Sequence, residues 1–214
     1  MNATLSSLPG AWLRSVSVSA MDNNAYLLTC ARSGAQLLVD AADDAGTLLE
    51  MVRQGSLAQD EVRLDAVLTT HQHWDHHRAL AAVVTATGAR TLAGADDADA
   101  LPVHVQQRLV HGEQVLVGEL VLDVVHLRGH TPGSVALAWT DDAGTVHVFT
   151  GDSLFPGGPG KTGSAADFSD LMDDLQTRVF DVYPDSTLVH PGHGAGTTLG
   201  AERPHLAAWR ARGW

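Results

Sequence analysis

Thr70-His71-Gln72-His73-Trp74-Asp75-His76 is the stretch on which the reading of this chain turns. It follows the apolar run Ala66–Leu68, which reads as a strand, and it leads into the helical pattern His76–Thr87. Strand alternation points His71 and His73 the same way, and the turn into the helix brings Asp75 and His76 round to join them. Packing does not explain three imidazoles and a carboxylate within the six residues His71–His76. Imidazole and carboxylate are ligands for zinc and iron, and donors at this density point to more than one metal. The competing explanation is a solvated loop that happens to be rich in histidine.

Three later segments weigh against that competitor. They are Gly129-His130-Thr131-Pro132-Gly133-Ser134, Thr150-Gly151-Asp152-Ser153-Leu154-Phe155 and His190-Pro191-Gly192-His193-Gly194. Each sets a further candidate ligand just beyond an apolar run, at Leu120–Leu127, Val146–Thr150 and Thr187–Val189 respectively. Loops that leave strand ends are where binding residues concentrate.

The order H-x-H-x-D-H, histidine, aspartate, histidine resembles the metallo-β-lactamase superfamily over nearly the whole chain. That resemblance implies an α+β fold, a four-layer αβ/βα sandwich of two mixed sheets with helices outside. It implies that His71, His73 and His130 hold one divalent metal, that Asp75, His76 and His193 hold a second, and that Asp152 bridges both. It gives Asp75 and Asp152 catalytic importance as well, with a metal-bridging hydroxide as nucleophile. Zinc is the expected ion, with iron or manganese tolerated. Within the superfamily the phrases Gly129–Ser134, Gly151–Phe155 and Pro191–Gly194 are most similar to glyoxalase II, hydroxyacylglutathione hydrolase. The expected activity is hydrolysis of small acyl-thiol thioesters.

Two departures qualify this likeness. The residues of this sequence after His193 fit about one helix, at ~1.5 Å rise per residue, so no counterpart of glyoxalase II's C-terminal helical domain is expected among them. The tyrosines are only Tyr26 and Tyr183, which leaves the thiol carrier open between glutathione, mycothiol and others. The alternative activities are a mononuclear iron persulfide dioxygenase, using His71, His130 and Asp152, and a lactonase or β-lactamase. The only cysteine, Cys30, lies far upstream of Asp152, where the best-known β-lactamase subclass has its cysteine.

Asp40 ends Leu37-Leu38-Val39 and is expected to orient a ligand or the ligand loop rather than to bind metal. Gly157-Gly158-Pro159-Gly160-Lys161-Thr162 looks like a phosphate loop, but Phe155 stands where G-x-x-x-x-G-K-[ST] needs its first glycine. Lys161, the only lysine, is expected to bind a substrate carboxylate; a solvated loop lysine is the ordinary competitor. His77, His104, His111, His147 and His205 read as surface or loop residues, and His126 and His190 as packing or local hydrogen-bonding residues.

The 214 residues are read as one domain, 1–214, with room for a sizeable core. A net charge of −12 argues against a nucleic-acid partner. No apolar stretch approaches a membrane span. One cysteine and no visible signal peptide give a cytoplasmic expectation. Oligomeric state is left open. Helices are expected at Asp43–Arg53, His76–Thr87, Asp167–Phe180, with Asp167 as N-cap, and Glu202–Arg212.

Overall fold

The computed structural model describes residues 3–57 and 63–213. The first sheet has seven strands in sequence order: β1 (Thr4–Leu8), β2 (Ala11–Val18), β3 (Asn23–Cys30), β4 (Gln36–Val39), β5 (Ala66–Thr69), β6 (Arg90–Gly94) and β7 (Gln107–Leu109). Pairing is antiparallel as far as β4 and parallel from β4 to β7. Further strands are β8 (Gln114–Val117), β9 (Leu120–His126), β10 (Val135–Thr140), β11 (Val146–Gly151), β12 (Leu154–Phe155), β13 (Gly158–Pro159), β14 (Leu188–Pro191) and β15 (Thr197–Thr198). Six of these form the second sheet, in the order β15-β14-β11-β10-β9-β8, and β12 and β13 make a small hairpin apart.

Side-chain alternation explains the layers. On β3, Tyr26, Leu28 and Cys30 face the second sheet and join Leu122, Val124, Leu137 and Phe149 in one core. Ala25 and Leu27 face the other way, against helices α1 (Ala45–Gly55) and α2 (Leu80–Thr87). A third core sets Val125, Ala136 and Val148 against α3 (Ala165–Leu175) and the C-terminal helix described below. Helix, sheet, sheet, helix is the four-layer α+β sandwich that the resemblance implies.

Most expected elements form, with instructive shifts. α3 starts at Ala165, and its N-cap is Ser164 rather than Asp167. The Ser164 hydroxyl accepts from the Asp167 amide at 3.1 Å and donates to the Asp167 carboxylate at 2.7 Å, a reciprocal cap. Phe168, Leu171, Met172 and Leu175 then fall on one buried stripe. The helix expected from His76 instead begins at Leu80, after a short 3₁₀ turn at Trp74–His76. His76 is tied to Asp40, and the Ala79 amide bonds to the Ala41 carbonyl, so the site geometry overrides the helical pattern. The last helical segment is broken: α4 (Leu199–Glu202) and α5 (Leu206–Arg212) flank a 3₁₀ turn that contains Pro204. β7, β12, β13 and β15 are only two or three residues long, too short for side-chain alternation to show in the sequence.

Parallel pairing of β4, β5 and β6 puts their C-terminal ends at one edge. Asp40, Thr70–His71 and the turn after Gly94 therefore sit side by side. β9, β11 and β14 run the same way in the second sheet and release His130, Asp152 and His193 at that edge. A bond from the Val135 amide to the Thr70 carbonyl, at 2.9 Å, joins the two sheets there.

Candidate metal centre

All seven expected ligands come together. Three overlapping groups have donor atoms within 4.8 Å of one another: His71, His73 and His130; His71, His76 and Asp152; Asp75, His76 and His193. Asp152 sits between the outer groups. Its Oδ1 lies 3.4 Å from His76 Nε2, and its Oδ2 lies 3.4 Å from His193 Nε2 and 3.7 Å from His130 Nε2.

Four of the five imidazoles are held from behind. Asp40 is fully buried, with a left-handed backbone at φ 61° that few non-glycine residues adopt. Its Oδ1 accepts from the Thr70 amide at 2.8 Å, and its Oδ2 accepts from the Thr70 hydroxyl and from His76 Nδ1, each at 2.8 Å. His71 Nδ1 lies 3.0 Å from the Thr70 oxygen, His130 Nδ1 2.7 Å from the Lys161 carbonyl and His193 Nδ1 2.8 Å from the Met21 carbonyl. Because the Thr70 proton goes to Asp40, all four outer nitrogens face acceptors and carry the ring proton. Their Nε2 atoms then face inward as lone pairs.

Those inner atoms crowd one another. His71 Nε2 lies 3.1 Å from His73 Nδ1 and 3.3 Å from His130 Nε2, and His76 Nε2 lies 3.1 Å from His193 Nε2. Lone pairs at such distances repel unless a proton or a metal ion lies among them. Asp152 Oδ1 is also buried without a hydrogen bond. An array of inward-facing neutral imidazole nitrogens and carboxylates fits divalent cations.

The electrostatics agree. Burial opposes charge on His76, but Asp40 and Asp152 outweigh it and push its pKa up to about 10. Burial likewise opposes the Asp152 carboxylate, yet His193 and His76 hold it well below the usual carboxylate range. His71, shut away from water among other imidazoles, is held well below its ordinary value and stays neutral. The field that favours a proton on His76 favours a more highly charged ion more strongly.

Several supporting residues escaped the sequence reading. Asn23 Nδ2 donates to Asp75 at 3.0 Å. Asn24 donates to the Pro191 and Gly194 carbonyls, and Tyr26 donates its hydroxyl to Pro191, so β3 pins the loop that carries His193. These residues look like ordinary strand positions, and no spacing links them to a loop about 170 residues away. Gly192 is needed because a Cβ there would come within 2.2 Å of Asp152 Oδ1.

The remaining expectations divide. Lys161 is exposed and, with Phe168 and Arg212, lines a cavity of about 340 Å³. Trp74 is exposed at 59%, with the Arg78 guanidinium 3.7 Å from its ring centre. His104, His111 and His205 are exposed, as expected. His147 is not: it is buried on β11, stacked between Trp139 and His190. Strand alternation places it on the same face as Phe149, between the sheets. His126 bonds the Pro132 carbonyl at 2.8 Å, and His190 stacks on Phe149, matching their expected local roles.

An αβ/βα sandwich with a histidine–aspartate cluster along one edge of its two sheets defines a class of metal-site proteins. The family model described as the metallo-beta-lactamase superfamily matches residues 19–193. The chain belongs to that superfamily. It is 36% identical over 174 residues to a hydroxyacylglutathione hydrolase of Jannaschia sp. (strain CCS1), covering 80% of this chain and 62% of the relative. The chain thus spans less than two thirds of that relative's length. Among solved structures, ETHE1 from Myxococcus xanthus superposes with a TM-score of 0.74 at 29% identity, covering 91% of this chain and 82% of the other. TTHA1623, solved in a di-iron-bound form, superposes with a TM-score of 0.71 at 34% identity, covering 88% of this chain and 96% of the other. Among the described residues no helix is long and apolar enough to cross a membrane.

Proposed function

We propose that this chain is a metal-dependent hydrolase that carries two divalent ions and cleaves the thioester of a small acyl-thiol conjugate. The observation that carries this reading is the run of three overlapping donor groups with Asp152 against both ends. His71, His73 and His130 would hold one ion, Asp75, His76 and His193 the other, and Asp152 would serve both. Zinc suits this donor set, and iron or manganese also accept it. Ions held there supply Lewis acidity at a carbonyl oxygen and bring the pKa of water to near neutrality.

The chain's own residues do the rest. Asp40, Lys161 and Met21 hold His76, His130 and His193 in the tautomer that turns their Nε2 atoms inward. With ions bound, Asp75 and Asp152 would offset part of the cationic charge and would leave a net positive potential where a tetrahedral oxyanion would form. Among the described residues no serine hydroxyl or cysteine thiol is hydrogen-bonded to any of the five imidazoles, and the Thr70 hydroxyl beside His71 is buried and gives its proton to Asp40, so the site offers no activated protein nucleophile. The relative's name, hydroxyacylglutathione hydrolase, supports an acyl-thiol substrate, and the di-iron form of TTHA1623 supports two ions. Lys161 would meet a carboxylate of the thiol carrier.

Metal analysis together with a hydrolysis screen on several acyl-thiol conjugates tests this. Two ions per chain are expected, with turnover abolished by a chelator and restored by added metal. One iron per chain with oxygen uptake on a persulfide would replace the hydrolase with a dioxygenase. Opening of lactones or β-lactams in place of thioesters would move the substrate class and keep the site.

A further inference from the structure

One carboxylate joins two loops of the site without hydrogen-bonding or ion-pairing to any of the seven donors. Asp97 follows β6 by three residues and is 0% exposed. Its Oδ2 accepts from the Gln72 amide at 2.9 Å and from the Thr131 hydroxyl at 2.5 Å, and its Oδ1 accepts from the Gly133 amide at 2.8 Å. Gln72 lies between His71 and His73, and Thr131 follows His130. Among the described residues no Lys, Arg or His forms an ion pair with Asp97, so its buried carboxyl oxygens rely on these three donors. The fit is close: a Cβ at Gly133 would come within 2.3 Å of the Asp97 backbone nitrogen.

The other donor group is anchored elsewhere. Asn23 holds Asp75, Asp40 holds His76, and the Met21 carbonyl holds His193. None of these anchors is bonded to Asp97.

We propose that Asp97 is a positioning residue for one of the two metal positions. It clamps the His71–His73 segment, from the first sheet, to the His130 loop, from the second. Folding then organises three donors from two separate loops before an ion arrives. Without the clamp, ion binding itself must order the loops and its affinity falls. The inference rests on the two-ion reading of the site and concerns only the ion held by His71, His73 and His130.

Cobalt(II) titration of the chelator-stripped full chain, followed by visible absorption and by metal analysis, tests it. Wild type should take up two ions. Asp97→Asn keeps the size of the side chain but sets an amide N–H₂ against one of the three donors. One class of ion should weaken by up to about 10-fold, the lower end of the cost of losing a direct hydrogen-bond partner of a metal ligand, because Asp97 acts through residues adjoining the ligands. The other class should hold its affinity. The weakened class should be the one that His73→Ala removes. Thr131→Val, which deletes the bonds of this hydroxyl to Asp97 and to the Ser134 hydroxyl but leaves the Gln72 and Gly133 bonds of Asp97, should weaken the same class less, and Thr131→Ser should restore it; this pair keeps the test decisive if Asp97 variants fold poorly. Equal weakening of both ions, or no change in either, in Asp97→Asn or, where that variant does not fold, in Thr131→Val, would overturn the proposal while leaving the two-ion site intact. Uptake of fewer than two ions by wild type would instead remove the reading on which it rests.

Discussion

Asp40→Asn is the most informative single change outside the ligand set. Asp40 accepts three hydrogen bonds, two on Oδ2 and one on Oδ1. An amide has one oxygen. Placed where Oδ2 stands, that oxygen keeps the Thr70 hydroxyl and His76 but turns N–H₂ against the Thr70 amide; the flipped amide loses both Oδ2 contacts. The first arrangement costs less, about 1–3 kcal/mol for one buried donor left unpaired. At roughly 2–4 °C per kcal/mol for a chain of this size, the unfolding midpoint should fall by about 2–12 °C. The left-handed backbone at φ 61° adds no penalty, because asparagine tolerates it as aspartate does. Loss of the negative charge behind His76 should also weaken metal binding by about 10–100-fold. In chelated protein the His76 pKa should drop from about 10, since Asp40 is the largest influence raising it. Calorimetry with and without chelator, cobalt titration and histidine NMR read the three effects separately. Asp43→Asn, which breaks only a partly exposed pair with Arg78, is the control, expected to cost under about 1 kcal/mol. An Asp40→Asn protein with wild-type melting temperature, metal affinity and His76 titration would refute the role assigned to Asp40.

Three further outcomes are expected. Asp152→Ala removes the carboxylate that faces both outer donor groups, and steady-state turnover in metal-replete protein should be nearly abolished; retention of wild-type rates would end its bridging assignment. Lys161→Ala should raise KM with little change in kcat, by about 1–3 kcal/mol of binding, and only for substrates with a carboxylate; the backbone carbonyl that receives His130 survives the change, so an equal effect on uncharged substrates would point to loop shape instead. His190 is buried, and its pKa is lowered to about 4 from the ordinary 6.5, by burial and then by His147. The folded state thus favours the neutral ring, so this contribution to stability is complete above about pH 6.5 and fades as pH falls towards 4. The gap between 6.5 and about 4 corresponds to about 3 kcal/mol, and an NMR titration of His190 with a midpoint near 6.5 would contradict it.

Much of the centre was legible in the chain because its chemistry is local. His71, His73, Asp75 and His76 share one turn, and His130, Asp152 and His193 each stand just past an apolar run, so residue type and position carried the message. Element boundaries near the site were less legible. The helix expected from His76 was displaced to Leu80, because the bonds from His76 to Asp40 and from Ala79 to Ala41 outweigh local helical preference. His147 was misplaced at the surface although the alternation of β11 already put it beside Phe149.

The order of donors along the chain was enough to point to the class of site, and the family resemblance that this order carries implied the four-layer sandwich. Only the tertiary structure decided what holds those donors in place. Asn23, Tyr26 and Asp97 resemble any strand or turn residue until the two sheets meet, because a hydrogen bond across 25 to 170 residues depends on where strand ends converge. Parallel pairing of β4, β5 and β6 sets Asp40 and Asp97 on either side of the His71 loop. That convergence fixes which nitrogen of each ring carries its proton, and so which face of the ring is free to bind.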